Sequence, residues 1–120
     1  MTSSANWIQY IIDQPIAHNP GEKFEYSNCS SFLLSAILHE SCKKDLLTFA
    51  RESLFNPLGI KEIDWWRGYH GIPLGWAGIR MQPLDLAKIG LLYLNQGNWE
   101  DQQIVSSKWV DLSTTNHINT

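Results

Sequence analysis

Residues 20–28 have the sequence Pro20-Gly21-Glu22-Lys23-Phe24-Glu25-Tyr26-Ser27-Asn28 and lead directly into an apolar segment. The Pro-Gly pair predicts a turn, a short extended run follows it, and a helix is expected to begin near Ser27 or Asn28 and to end near Glu40. Apolar residues occupy most of its surface: Cys29, Phe32, Leu33, Leu34, Ala36, Ile37 and Leu38. The polar stripe is narrow: Ser31, Ser35 and His39. We therefore expect this helix to be buried on nearly all sides.

Helices are also expected on both sides of this segment. Ser3 or Ser4 is placed to cap a first helix that ends near Asp13. Asp45 is placed to cap a third helix over residues 46–55. Both interpretations rest on a short polar side chain that precedes a run of apolar residues.

The second half of the chain begins with a glycine-rich loop. Within it, Gly75-Trp76-Ala77-Gly78 suggests a close approach between two backbone segments. Pro83 suits the first position of a fourth helix, and Gly97 follows the end of that helix. Residues 99–105 are expected to form a small hairpin, and Ser106 is expected to cap a last helix. The fourth helix is also apolar almost all round: Leu84, Leu86, Ala87, Ile89, Leu91, Leu92 and Leu94.

These elements predict a mainly α fold with minor β structure, and residues 1–120 are treated as a single fragment. Two helices that are apolar on nearly every side need more packing partners than so short a chain supplies. We therefore expect a helical subdomain of a larger protein. Self-association through the same apolar faces is the alternative source of partners.

Composition excludes several classes of protein. The net charge is −3 and the basic residues are dispersed, so nucleic acid is not an expected partner. No apolar run reaches the roughly 20 residues of a membrane span, and no export signal is recognised, so the location stays unassigned. Cys29 and Cys42 lie about 20 Å apart on the predicted helix, which excludes a disulfide and a metal site that would use both.

Four stretches in order resemble one family. After Pro20–Asn28 they are Leu54-Phe55-Asn56-Pro57-Leu58-Gly59-Ile60, Gly75-Trp76-Ala77-Gly78 with Pro83 to Gly90, and Leu92 to Trp99 with Ile104 to Val110. Together they resemble the serine β-lactamases and penicillin-binding proteins. The match is best to the class C-like branch, which includes D-alanyl-D-alanine carboxypeptidases and esterases. The resemblance implies the helical subdomain of that family's α/β fold.

The resemblance also implies acyl transfer through a serine, without a cofactor or metal. Tyr26 would exchange a proton with the nucleophile or leaving group, and Asn28 would hydrogen-bond the substrate amide and help to position a lysine. A phenol works as a base near neutrality only beside cations. The family's serine, lysine and Lys/His-Thr-Gly strand are not found in this sequence. The Ser-x-x-Lys of residues 41–44 follows the motif instead of preceding it, and we interpret it as a coincidence.

Three questions stay open at the level of sequence: the role of the tryptophans, the substrate, and whether the protein is catalytic. Trp65, Trp66 and Trp76 either line a substrate cleft or fill the core of the glycine-rich segment. The substrate of the whole protein is expected to be a β-lactam, a D-Ala-D-Ala peptide or a small ester. The alternative function is a non-catalytic helical binding module.

A second departure from the family pattern is Lys43, which stands where a helix-ending glycine is expected.

Overall fold

The computed structural model describes residues 6–118, of which about half are helical. The helices are α1 (Trp7–Ile12), α2 (Asn28–Cys42), α3 (Leu46–Ala50), α4 (Pro83–Leu94) and α5 (Ser107–Thr114). A π-helical turn, Arg51–Phe55, continues α3, and a 3-10 turn spans Tyr69–Gly71. Two small sheets pair β1 (Ile63–Trp65) with β2 (Ile79–Met81), and β3 (Asn98–Trp99) with β4 (Gln102–Gln103). The prediction of a mainly α chain with minor β structure is confirmed.

Most helix starts follow from local capping. The Ser27 hydroxyl accepts a hydrogen bond from the Ser30 backbone N–H at 3.1 Å, and the Ser106 hydroxyl caps α5 in the same way. Pro83 is the first residue of α4, as predicted. The first helix differs from the prediction, because its cap is Asn6 and not a serine. The predicted caps Ser3 and Ser4 lie outside the described residues.

The C-terminal end of α2 is unusual because Lys43 takes the left-handed conformation that glycine favours. Its φ is 50° and its ψ is 30°. A side chain in this region costs roughly 1 kcal/mol relative to glycine. The helix therefore ends in a left-handed residue although glycine is missing at this position.

Lys43→Gly is expected to raise the free energy of unfolding by up to about 1 kcal/mol, because glycine adopts this conformation without strain. The measurement is urea denaturation of the variant beside the parent chain. Lys43→Ala is the matched control, since it loses the same side chain but keeps the strained backbone. Equal stability of the Gly and Ala variants would contradict the strain argument.

Lys43→Gly and Lys43→Ala should also share one effect, a change in the pKa of Glu40. Lys43 Nζ donates a hydrogen bond to Glu40 Oε2 at 3.0 Å, and this bond, followed by the lysine charge, lowers the pKa of Glu40 below its ordinary value. Both variants remove these causes, so the pKa of Glu40 should rise by the same amount in each, as NMR titration of its carboxyl carbon would show.

The described residues divide into two compact units. The first comprises residues 6–46, 65–78 and 116–118. Its core is formed by Phe32, Ala36 and Ile72, and α1 packs against α2. Arg67 ties the loop of this unit to the α2–α3 connection, because it forms a salt bridge with Asp45 and also donates to the Gly71 carbonyl at 2.8 Å.

The second unit comprises residues 47–64 and 79–115. Its buried core consists of Phe55, Leu58, Ile60, Ile63 and Leu92. Gly97 follows α4 with φ +79°, and its N–H bonds the Leu92 carbonyl at 2.8 Å, which ends the helix as predicted. The predicted hairpin is confirmed: Asn98 pairs with Gln103 and Trp99 with Gln102.

The prediction that α2 and α4 are buried on nearly all sides is wrong within residues 6–118. Each helix buries one face in the core of its own unit, while the opposite apolar face stays exposed. The exposed residues are Leu34, Ile37 and Leu38 on α2, and Leu84, Leu86, Leu91 and Leu94 on α4. The described residues supply too few neighbours to cover these faces. No helix among them is long and apolar enough to cross a bilayer.

Candidate functional site

The Tyr-x-Asn motif lies at the N-terminal end of α2. Tyr26 is the last residue before the cap, Ser27 is the cap, and Asn28 is the first helical residue. Ser27 has extended backbone angles, and its carbonyl also accepts a hydrogen bond from the Ser31 hydroxyl at 3.2 Å. The cap therefore sets the backbone direction between the two candidate residues, and Asn28 itself is not the cap.

Both candidate side chains are available to a ligand. Tyr26 is 75 % exposed, and Asn28 is also exposed. Neither side chain makes a hydrogen bond to any residue in the range 6–118. A purely structural role for Tyr26, with a packed ring and a hydrogen-bonded hydroxyl, does not fit this geometry, because the ring lies mostly in solvent. The phenol of Tyr26 and the amide of Asn28 thus have unused hydrogen-bonding groups within residues 6–118.

A cavity of about 480 Å³ adjoins Tyr26. One side is formed by Glu25, Tyr26 and the first turn of α2, including Cys29. The other side is formed by the end of α1 and the chain after it, including Ile11, Gln14 and Ala17. All of these residues belong to the first unit. The motif is thus placed beside a concave surface.

The three candidate tryptophans have different environments. Trp76 belongs to an aromatic cluster, with its ring centroid 5.8 Å from that of Phe32 and 6.4 Å from that of Trp7. The Trp65 indole N–H donates to the Leu74 carbonyl at 2.6 Å. Trp66 is 50 % exposed. The contacts of Trp76 and Trp65 support the packing of the loop, whereas half of the Trp66 surface is accessible.

The glycine-rich loop contains the close backbone approach that the sequence predicts, and the structure shows that the partner is α2. A Cβ at Gly75 would lie 2.0 Å from the carbonyl oxygen of Ser31, far inside van der Waals contact. A Cβ at Gly78 would lie 2.5 Å from the Trp66 Cβ, at a φ of +86°. Gly75 therefore lets the loop lie directly on the first half of α2, and Gly78 lets the loop backbone pass close to Trp66.

The Ser-x-x-Lys of residues 41–44 lies at the other end of α2. Fifteen helical residues separate the two ends, which is roughly 20 Å along the axis. Ser41 lines a different, apolar groove beside Ile8 and Ile37. Because the helix ends at Cys42 and Lys43 is left-handed, Ser41 and Lys44 do not share a helical face. This serine is not placed to react beside Tyr26.

Metal ligation has no support in the described part of the chain. Within residues 6–118, no group of three or more His, Cys, Asp or Glu side chains is arranged to hold a metal ion. Cys29 and Cys42 are thiols and do not form a disulfide. Their positions near opposite ends of α2 agree with the separation expected from the sequence.

Comparison with known proteins shows the family. The family model described as Beta-lactamase matches residues 1–117, which is nearly the whole chain. The chain therefore belongs to the beta-lactamase family. No curated protein matches it.

Two features of the site were not assigned from the sequence. The helix start was placed only near Ser27 or Asn28, and Ser27 is the residue that caps α2. A serine three residues before a free helical N–H is a recognised capping signal, so this role was predictable. The cavity wall formed by Gln14 and Ala17 carried no such signal, because it depends on how α1 packs on α2.

Proposed function

We propose that residues 1–120 form the helical subdomain of a serine hydrolase of the class C-like branch. In this proposal Tyr26 exchanges a proton with the attacking serine or the leaving group. Asn28 hydrogen-bonds the substrate amide and helps to position the catalytic lysine. The observation that carries the proposal is the exposed Tyr26 hydroxyl, which makes no hydrogen bond within residues 6–118 and adjoins a cavity in a chain of this family.

The proposal requires groups that this sequence does not contain. A serine must attack the carbonyl, and its proton must pass to a base held near cations. No lysine or arginine is among the described residues that line the cavity. The serine, the lysine and the Lys/His-Thr-Gly strand therefore come from another segment. The substrate is a β-lactam, a D-Ala-D-Ala peptide or a small ester.

Trp66 is the tryptophan that best fits substrate contact. Half of its surface is exposed, and it lies on the loop that packs on the first half of α2. Trp65 and Trp76 support that contact indirectly, through their packing and hydrogen bonding within the loop.

Covalent labelling tests the proposal. The purified chain is treated with a fluorescent penicillin and a fluorophosphonate, and its intact mass is measured. We expect no adduct, because Ser27 and Ser30, the serines that line the cavity with Tyr26, have no lysine or arginine beside them there to activate them. Addition of a family segment that carries the Ser-x-x-Lys and Lys/His-Thr-Gly motifs should produce an adduct on the serine of that segment. A stoichiometric adduct on Ser27 or Ser41 of this chain would overturn the proposal.

The alternative is a non-catalytic binding module that associates through its apolar faces. The exposed leucines of α4 favour it, since Leu84 and Leu94 are 77 % and 78 % exposed. The labelling experiment separates the two functions. A segment that binds this chain but never becomes labelled would support the module and exclude the hydrolase.

A further inference from the structure

A small cavity in the second unit lies where the end of α4 meets the β3–β4 hairpin. Its volume is about 310 Å³, and it is lined by Leu91 and Asn95 on one side and by Asn98, Trp99 and Glu100 on the other. The side chains of Asn95, Asn98 and Glu100 make no hydrogen bond or ion pair with any other described residue. Two amides and one carboxylate at this cavity therefore have unused hydrogen-bonding groups.

Trp99 adds an aromatic surface to the cavity. Its side chain packs against the core of the second unit, and its backbone pairs with Gln102 across the hairpin. The indole N–H of Trp99 is not buried and makes no hydrogen bond with a described residue. A fixed aromatic ring with an unused N–H suits a ligand that is apolar on one face and polar at its edge.

The backbone around the cavity is held by hydrogen bonds of its own. The side-chain amide of Gln103 donates to the Gln96 carbonyl at 2.7 Å and to the Val105 carbonyl at 2.6 Å. The Gly97 N–H donates to the Leu92 carbonyl at 2.8 Å. Because these bonds already order the loop, ligand binding loses less conformational entropy.

The polar groups of the cavity favour a ligand that is neutral and rich in hydroxyls. An amide both donates and accepts hydrogen bonds, as a hydroxyl does, and the two oxygens of a carboxylate can accept from two neighbouring hydroxyls. Of the described residues that line the cavity, Glu100 alone carries a formal charge, and Asp101 follows it in sequence. An anionic ligand is therefore disfavoured by charge repulsion.

From this arrangement we propose that the cavity binds one pyranose ring of a neutral saccharide. The C–H groups of the sugar pack against Trp99, and its hydroxyls bond to Asn95, Asn98 and Glu100. The volume lies at the lower end of the range for ligand cavities, about 300–1,000 Å³, which suits a single ring. The site belongs to the second unit and Tyr26 to the first, so the inference does not depend on the proposed function.

The test is an NMR titration of the ¹⁵N-labelled full chain with methyl β-D-glucopyranoside and with methyl β-D-glucuronide, which carries a carboxylate in place of one hydroxymethyl group. The indole N–H of Trp99 and the backbone amides of Asn98 and Glu100 report on the cavity. We expect the neutral glycoside to reach half-saturation at low millimolar concentration. The glucuronide should need about fivefold more, which is the upper range for an interaction between exposed charges.

Glu100→Gln and Asp101→Asn form a matched pair of variants. Both convert a carboxylate to an amide in the same turn, where φ is 47° at Glu100 and 64° at Asp101, but Asp101 does not line the cavity. Glu100→Gln should weaken binding of the neutral glycoside about fivefold, because hydrogen bonds to a charged acceptor are roughly twice as strong as neutral ones. Asp101→Asn should bind it as the parent chain does.

Asn95→Ala and Asn98→Ala test the two amides. Each should raise the half-saturation concentration of the neutral glycoside about fivefold, since each removes a hydrogen-bonding group from the site. Equal half-saturation of the two glycosides would overturn the inference. Parent-like binding by Glu100→Gln or by both Asn variants would overturn it as well, and so would shifts no larger than those that glycerol produces at the same concentration.

Discussion

Gly75→Ala is expected to lower the free energy of unfolding of the first unit by about 3 kcal/mol, at the upper end of the usual cost of overpacking. The new Cβ would lie 2.0 Å from the Ser31 carbonyl oxygen and 2.6 Å from the Ser35 hydroxyl oxygen. Ser31 contributes backbone from within α2, which does not rotate away as a side chain does. The loop would have to move off the helix.

Gly90→Ala is the matched control for this prediction. Gly90 lies inside α4, and a Cβ there would meet nothing within 4 Å. The same substitution should therefore stabilise the chain by about 0.5–1 kcal/mol, because alanine favours a helix interior over glycine. Urea denaturation followed through the amide signals of Phe32 and Ile72 measures the first unit, and the amide signals of Ile60 and Leu92 measure the second unit, which contains Gly90. An unchanged midpoint for Gly75→Ala would show that the loop does not lie on α2.

Tyr26→Phe is expected to slow acylation of the reconstituted hydrolase by about 10²- to 10⁴-fold, the usual contribution of a positioned proton-transfer group. The substitution removes only the hydroxyl. Because the ring is 75 % exposed and its hydroxyl makes no hydrogen bond within residues 6–118, the stability of the chain should not change. The loss would then reflect chemistry and not folding.

Tyr10→Phe is the matched control, because it removes the same hydroxyl from a tyrosine outside the cavity. Tyr10 lies on α1, is 40 % exposed, and does not line the cavity. The measurement is the rate at which the fluorescent penicillin adduct forms, with the urea midpoint recorded for each variant. Tyr10→Phe should react at the parent rate. A parent-like rate for Tyr26→Phe would remove the proposed proton transfer from this residue.

Local signals account for most of what the sequence predicted correctly. The Ser106 cap, Pro83 at the start of α4 and Gly97 after its end each act through hydrogen bonds or dihedral angles within about five residues. Such interactions form whatever the rest of the chain does. The hairpin of residues 98–103 is equally local.

The sequence was a poorer guide where a feature depends on contacts between residues that are far apart in the chain. The apolar pattern of α2 predicts burial, but burial needs partners, and Leu34 is 62 % exposed among the described residues. The residue pattern left the roles of the tryptophans open. The packing of Trp76 on Phe32 and the exposure of Trp66 separate them, because these depend on where the loop meets the helix.

The motif could be predicted from the sequence, whereas the cavity beside it could not. Tyr26, Ser27 and Asn28 are consecutive, so their placement at the start of a capped helix follows from the order of residues and from capping chemistry. The cavity beside them joins residues from α1 and α2 that are far apart in sequence. Its shape and its single carboxylate arise from the packing of those helices, and side-chain packing between distant segments leaves no periodic signal in the sequence.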